Sequence, residues 1–380
     1  MPVPETASAI VVGAGPAGLA NAACLAQRGI DYILLERSHQ VGSAWHGHYD
    51  RLHLHTHKGA SELPGMSFPR GTARYPSRQE VVDYLEAYAR KFGIEPRFGA
   101  EVTSIVPVDD AWEVTAGERT FRSRSVVVTT GFTRVPYRPS WPGLDGFPGP
   151  VLHSSEYKNG EPFRGQRVLV VGFGNSGGEI AICLHEHGAH SSIAVRGEVN
   201  VVPRDLLGLP ILGIGILLAS LPSGVADALS YPLLAPTFRR ARRAGLRLHP
   251  HGVFAQIRQD LSVPLLDVGT LELMLRGAIT AYRGIARFEG DEVIFDDGQR
   301  ERFDALVLAT GYRARVDQFV HAGPGVLDEK GRPLVSGKAP PSAPGLFFSG
   351  FYLAPTGMFR EIAREAPAVA EAVAARGGAG

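Results

Sequence analysis

The feature that most constrains this 380-residue chain is a duplication. Gly13-Ala14-Gly15-Pro16-Ala17-Gly18 and Gly172-Phe173-Gly174-Asn175-Ser176-Gly177 carry the same G-x-G-x-x-G spacing. Each follows an apolar run of strand length, at 9–12 and 167–171, and each opens an apolar helix. Strand, tight turn and helix in that order make a dinucleotide-binding unit. The first glycine permits the turn, the second lets the backbone approach a pyrophosphate, and the third lets the helix pack on the strand. The helix N-terminus then offers free N–H groups to the anion. Cys24 and Cys183 each lie eleven residues beyond the first glycine of their motif, so the likeness runs into the helices, and both read as small core residues. One such motif is weak evidence; two with matching flanks predict two dinucleotide sites.

The residues that follow each motif distinguish the sites. The second strand of the first unit ends at Glu36, 23 residues after Gly13, where a ribose diol needs an acceptor, with Arg37 beside it. The matching strand of the second unit ends at Arg196, 24 residues after Gly172. A guanidinium there can pair with a 2′-phosphate as a fork, so the second site should prefer NADPH. Closing strands return to each turn, one through Thr130-Gly131 and the other through Ala309-Thr310-Gly311-Tyr312. A last strand near 345–350 and a helix over 358–375 end the chain. The expected fold is α/β, with two Rossmann-like dinucleotide-binding domains, the second inserted into the first. The division runs 1–158, 159–314 and 315–380.

Composition sets the outer limits. A chain this long exceeds the roughly 250 to 300 residues at which single cores stop growing. A formal charge of +1 gives no global field for nucleic acid. Residues 1–9 show no basic start and no apolar stretch before Ile10, so no signal peptide is expected, and two cysteines fit a reducing, cytoplasmic setting. Segment 206–221 is the most apolar part but falls short of the roughly 20 residues of a membrane span. It reads as the lid or wall of a hydrophobic pocket; with Arg239, Arg240, Arg242 and Arg243 following, membrane-surface contact is the alternative. No feature specifies an oligomeric state.

Between these landmarks, Ser77 should cap a helix over 78–92, residues 101–122 should form a β meander, and 285–295 a hairpin turned by Asp296-Asp297-Gly298. His53, His55 and His57 alternate, which on a strand would put all three on one face. No cysteine or acidic cluster lies beside them, so no metal site is assigned. Residues 134–150 are rich in proline and glycine, as a stiff crossover between domains would be.

On that crossover, Phe147-Pro-Gly149-Pro-Val-Leu-His153-Ser-Ser-Glu-Tyr157 reads F-x-G-x-x-x-H-x-x-x-Y. It resembles the fingerprint of the flavin-containing monooxygenases. Tyr157-Lys158 departs from the related Baeyer-Villiger motif, which carries tryptophan followed by proline or aspartate. The run 49–58, then Leu63-Pro64, Phe68-Pro69, Val202-Pro203-Arg204 with its apolar sequel, and Leu308–Tyr312 are similar to the YUCCA branch. The resemblance covers nearly the whole chain. It implies FAD in the first unit, NADPH in the second, and both cofactors beside Trp45, Val102 and His153. It implies hydride transfer to FAD, reaction of reduced flavin with O2 to a C4a-hydroperoxide, and transfer of one oxygen to a small organic substrate. Many family members place an asparagine at flavin and nicotinamide where this chain has His55, the catalytic candidate. Position on the crossover makes His153 a coupling residue of the nicotinamide cleft rather than a proton carrier. The outcome is either N- or S-oxygenation or oxidative decarboxylation of an aromatic 2-oxo acid such as indole-3-pyruvate. An FAD- and NAD(P)H-dependent reductase without oxygen transfer is the rival; its disulfide-reducing form lacks the C-x-x-C it would need.

Overall fold

The computed structural model describes residues 4–260 and 262–377. Two parallel sheets carry the glycine turns. The first has four strands in the order Leu346–Phe348, Val126–Val128, Ala9–Val12, Tyr32–Leu35. These strands are almost wholly apolar because layers on both faces bury them, and alternation is lost for the same reason. Helix α1 (Pro16–Gln27) leaves the first strand through Gly13, whose φ of +104° is open to glycine. The short α2 (Ser43–Gly47) follows. Next comes α3 (Arg78–Lys91), where Ser77 caps the helix as expected and Glu80 bonds back to it.

The second sheet has five strands in the order Thr280–Tyr282, His190–Ala194, Arg167–Val171, Ala305–Leu308, Val151–His153. Helix α4 (Asn175–Glu186) leaves its central strand through Gly172, at φ +114°. The chain therefore departs from the first sheet, builds the second, and returns to lay Leu346–Phe348 beside Val126–Val128. The two crossings touch: Val135–Pro136 pairs antiparallel with Tyr312–Arg313. Hydrogen bonding puts Val151–His153 in the second sheet, upstream of the division expected at 158, because the crossover runs straight into an edge strand.

The rest of the second unit is an insertion that only partly follows the sequence reading. The apolar segment folds as a tight ribbon, Asp205–Leu206 with Leu209–Pro210, and then α5 (Ile211–Leu218). Behind it stand α6 (Ser223–Arg243), with Pro232 and Pro236 inside it, α7 (Val253–Gln259) and α8 (Thr270–Leu275). The expected hairpin is a three-stranded ribbon. Asp296-Asp297-Gly298 turns Glu292–Phe295 into Arg300–Arg302, whereas Gly290-Asp291 makes the first turn. The final helix, α9 (Met358–Gly377), packs on α1 and closes the first unit.

Candidate functional site: two clefts and a shared cavity

In the first unit, the third glycine of the turn is fixed by contact. A Cβ on Gly18 would lie 1.8 Å from the Gly13 carbonyl oxygen, so α1 can approach its strand only there. Gly15 has open space in the same direction. The Glu36 carboxylate is buried and accepts the N–H of Ala14 at 2.6 Å and of Ser38 at 2.9 Å. Gly13, Gly15, Glu36, Arg37, Val102 and Thr130 line one cleft. The Thr130 hydroxyl is buried there with no partner in the protein, and Gly131 turns the chain at φ +66°. Its neighbour Thr129, absent from the sequence reading, donates to the carbonyls of Val12 at 2.7 Å and Gly13 at 2.9 Å. A cleft with a bare glycine edge, a fixed carboxylate and an orphaned hydroxyl can take a dinucleotide.

The second turn repeats the packing. A Cβ on Gly177 would lie 2.1 Å from the Gly172 oxygen, and one on Gly172 would lie 2.5 Å from the Ala309 oxygen; Gly174 again faces open space. Arg196 is exposed and makes no ion pair among the described residues. Arg247, 51 residues away, donates to its carbonyl at 2.8 Å and adds a second guanidinium to the edge. Nothing in the sequence pattern marked Arg247.

The fingerprint is a seam. Gly149 passes so close to the second sheet that a Cβ would lie 2.1 Å from the Asp304 oxygen. Phe147 packs edge-on to Phe288. His153 is fully buried, and both ring nitrogens are engaged by protein. The Ser155 N–H donates to Nδ1 at 3.1 Å, so Nε2 carries the hydrogen given to the Gly311 carbonyl at 3.0 Å. Burial lowers its pKa below the usual imidazole range. Tyr312 stands edge-on to the same ring, and Thr310 bonds the Tyr137 carbonyl. This geometry joins strands and leaves His153 no free nitrogen for a ligand. Tyr157 is buried against Tyr49 and Phe163, and Lys158 reaches across to the Gly47 carbonyl at 2.6 Å.

The alternating histidines do not share a face, because the chain bends after Leu54 instead of extending. His53 Nδ1 meets the Arg51 carbonyl, whereas His55 turns toward the second unit and meets the buried Glu179 at 3.1 Å. His48 is driven down to about 4 by burial, then by the Lys158 and Arg78 charges. His55, Trp45 and Asn175 line a cavity of about 380 Å³. Its far walls are the apolar side chains of α5, α6 and α7, together with Met358 and Phe359 at the start of α9. The Asn175 side-chain oxygen accepts the Leu266 N–H at 2.8 Å, and Ser176 faces Tyr49. Elsewhere, His249 and His251 flank Asp260, with nitrogens at 3.7 and 3.1 Å from its carboxylate. The His251 N–H already donates to His249 Nδ1 at 3.2 Å, which leaves the opposite nitrogen protonated toward Asp260. That cluster closes on itself, both imidazoles turned toward the one carboxylate.

Residues 10–205 match the model of the pyridine nucleotide-disulphide oxidoreductase family. The chain is 42% identical to the indole-3-pyruvate monooxygenase YUCCA1 of Oryza sativa subsp. japonica over 317 residues, covering 82% of this chain and 78% of that protein. The chain belongs to the YUCCA-like flavin-containing monooxygenases. The probable indole-3-pyruvate monooxygenase YUCCA1 of Arabidopsis thaliana is 39% identical over 326 residues, covering 84% of this chain and 79% of that protein. Among solved structures, a flavin-containing monooxygenase from Stenotrophomonas maltophilia superposes with a TM-score of 0.73 at 23% identity, covering 98% and 99% of the two chains. Cyclohexanone monooxygenase bound to ε-caprolactone gives 0.75 at 22%, covering 98% of this chain and 89% of its own. At those identities the likeness is one of fold. This YUCCA-like monooxygenase uses FAD and NADPH, and no described helix is long and apolar enough to cross a membrane.

Proposed function

We propose that this monooxygenase carries out oxidative decarboxylation of an aromatic 2-oxo acid of the indole-3-pyruvate type. The observation that carries the reading is the apolar cavity with His55 and Asn175 at one end; the substrate class named for its relatives agrees with it. In balance, R–CO–COOH, O2, NADPH and a proton give R–COOH, CO2, water and NADP+. One oxygen atom enters the new carboxyl group and the bond between the two carbonyl carbons breaks.

FAD, when bound, accepts the hydride and activates oxygen. The protein supplies the geometry. In this reading Gly13 to Gly18 wrap the FAD pyrophosphate, Glu36 and Arg37 meet its ribose, and Val102 and Thr130 close the cleft. Gly172, Gly174, Ser176 and Gly177 receive NADPH, and Arg196 its 2′-phosphate. Trp45, His55 and Asn175 border the reacting rings, while Gly131, His153, Ala309, Thr310, Gly311 and Tyr312 hold the cleft's shape. The leucine, isoleucine and valine walls exclude water, which lengthens the life of any oxygen species facing them. The start of α9 at the same cavity offers a helix N-terminus to developing negative charge. The enzyme works in the cytoplasm, where buried Cys24 and Cys183 stay reduced, and burial pushes Cys24 up to about 11.

One observation favours a second reading. No lysine or arginine lines the cavity among its described residues, and His55 is the one ionisable side chain among them that could meet a substrate carboxylate. A neutral soft nitrogen or sulfur centre needs no such neighbour, so N- or S-oxygenation is the alternative. Turnover with indole-3-pyruvate decides between them. One CO2 and one indole-3-acetate per NADPH support decarboxylation; NADPH consumption coupled only to sulfides or amines, with no CO2 released, overturns it.

A further inference from the structure

We propose that Glu179 is the positioning residue for His55, fixing which ring nitrogen faces the cavity and doing so only while the two units are docked. The proposal rests on the placement of His55 beside the reacting cofactors. Glu179 lies in the first turns of α4, where Ile180, Ala181 and Ile182 are all buried. Its residue is 3% exposed. A carboxylate at such a place is costly unless it is partnered. Its own unit gives it no partner: no lysine or arginine of the described residues pairs with it, and Oε2 has no hydrogen-bond donor. Both groups that face it come from the other unit. His55 Nε2 stands 3.1 Å from Oε1, and the buried Tyr49 hydroxyl lies alongside. The charge therefore serves the contact between units rather than the folding of α4.

The chemistry of the contact determines its consequence. A carboxylate is an acceptor, so the nitrogen opposite it must carry hydrogen. With Nε2 committed, Nδ1 is the ring atom left for whatever occupies the cavity. Rotation of an imidazole about its outer torsion is broad and roughly two-fold, so without Glu179 either nitrogen could point inward. His55 also sits on a bend, not on a strand whose ladder would hold it. The second unit thus sets the orientation of a side chain that belongs to the first, and undocking releases it.

The test uses the full chain loaded with FAD and no organic substrate. Long-range 1H–15N spectra report the hydrogen on each ring nitrogen, with the His55 signals identified by their loss in H55N. Wild type and E179Q, whose amide oxygen can still accept, should both show Nε2 protonated. E179A should show His55 shifted toward a mixture of tautomers. The rate of peroxide release under air and saturating NADPH should rise roughly tenfold in E179A, the range expected when a hydrogen bond to a charged group is lost. FAD content and the KM for NADPH should stay unchanged. In the H55N background, E179A should add nothing. E179M, which keeps the volume, replaces E179A if the smaller side chain impairs folding, with the same expectations. An unchanged His55 spectrum in E179A or E179M, an unchanged rate of peroxide release, or an additive rise over H55N would each overturn the proposal. A failure to decarboxylate indole-3-pyruvate would instead count against the substrate reading, since none of these measurements involves it.

Discussion

Single residues carry the difference between the two nucleotide clefts. Glu36 closes one second strand with a buried acceptor whose oxygens already fix the N–H groups of Ala14 and Ser38. Arg196 closes the other with an exposed donor fork, and Arg247 stands beside it. An acid repels a 2′-phosphate and a guanidinium attracts it, so the order of the two cofactors follows from these termini. Replacing Arg196 by alanine should weaken NADPH by about 1.5 to 3 kcal/mol, the worth of a hydrogen bond to a charged group, and leave NADH affinity almost unchanged. Titration of both nucleotides against the FAD-loaded variant checks this, and equal losses for the two would remove Arg196 from the 2′-phosphate. Arg247 limits the loss, since its guanidinium remains. Arg196 was legible because it ends a strand at a fixed spacing from Gly172. Arg247 was not, because proximity across 51 residues leaves no periodic trace.

At the scale of elements, the fingerprint 147–157 owes its composition to packing. Gly149 meets the Asp304 carbonyl, and that oxygen belongs to backbone entering the interior strand Ala305–Leu308, so it cannot swing aside as a side chain could. Gly149→Ala should therefore destabilise the FAD-loaded protein by about 1 to 3 kcal/mol, the usual cost of overpacking. Gly146→Ala, three residues earlier with open space around it, should change stability by less than about 0.5 kcal/mol. Denaturant unfolding of the two variants side by side makes the comparison, and equal stabilities would mean that the edge strand can shift. The same reasoning explains what sequence could and could not disclose. Strands buried on both faces, glycine turns and the cap at Ser77 are local signals, and each stands where its residues put it. No expectation covered helix α6, which runs through Pro232 and Pro236, residues that ordinarily end or kink a helix. The histidine alternation implies a shared face only if the backbone stays extended, and after Leu54 it bends. The large cavity was foreseen through one wall, the apolar segment that became α5. Its other walls come from stretches far apart in the chain, at 45–56, 253–266 and 353–359.

For the whole molecule, the decisive fact is that the segment bordering the first cleft is tied across the seam to the second unit. Helix α2 contributes Ser43 and Ala44 to the first cleft and Trp45 to the cavity, yet its C-terminal carbonyls are held from the crossover by Lys158. Arg51 reaches Glu186 at 3.3 Å, and Tyr49 packs edge-on to Tyr157, so the segment after α2 is tied to the second unit at several points. Cations at a helix C-terminus satisfy carbonyls that would otherwise face water, and here the cation comes from the other side of the seam. Removing it should loosen α2 rather than either glycine turn. Lys158→Ala is therefore expected to weaken FAD retention by about 1 kcal/mol, roughly fivefold in Kd, because the ammonium is exposed and its bonds are partly replaced by water. NADPH affinity should hold, since the second turn and Arg196 lie on the far side of the contact. Equilibrium FAD binding by fluorescence, measured beside NADPH titration of the same preparations, separates the two effects. Parallel losses of both nucleotides would mean that the seam moves as one block and that α2 is not anchored independently of it.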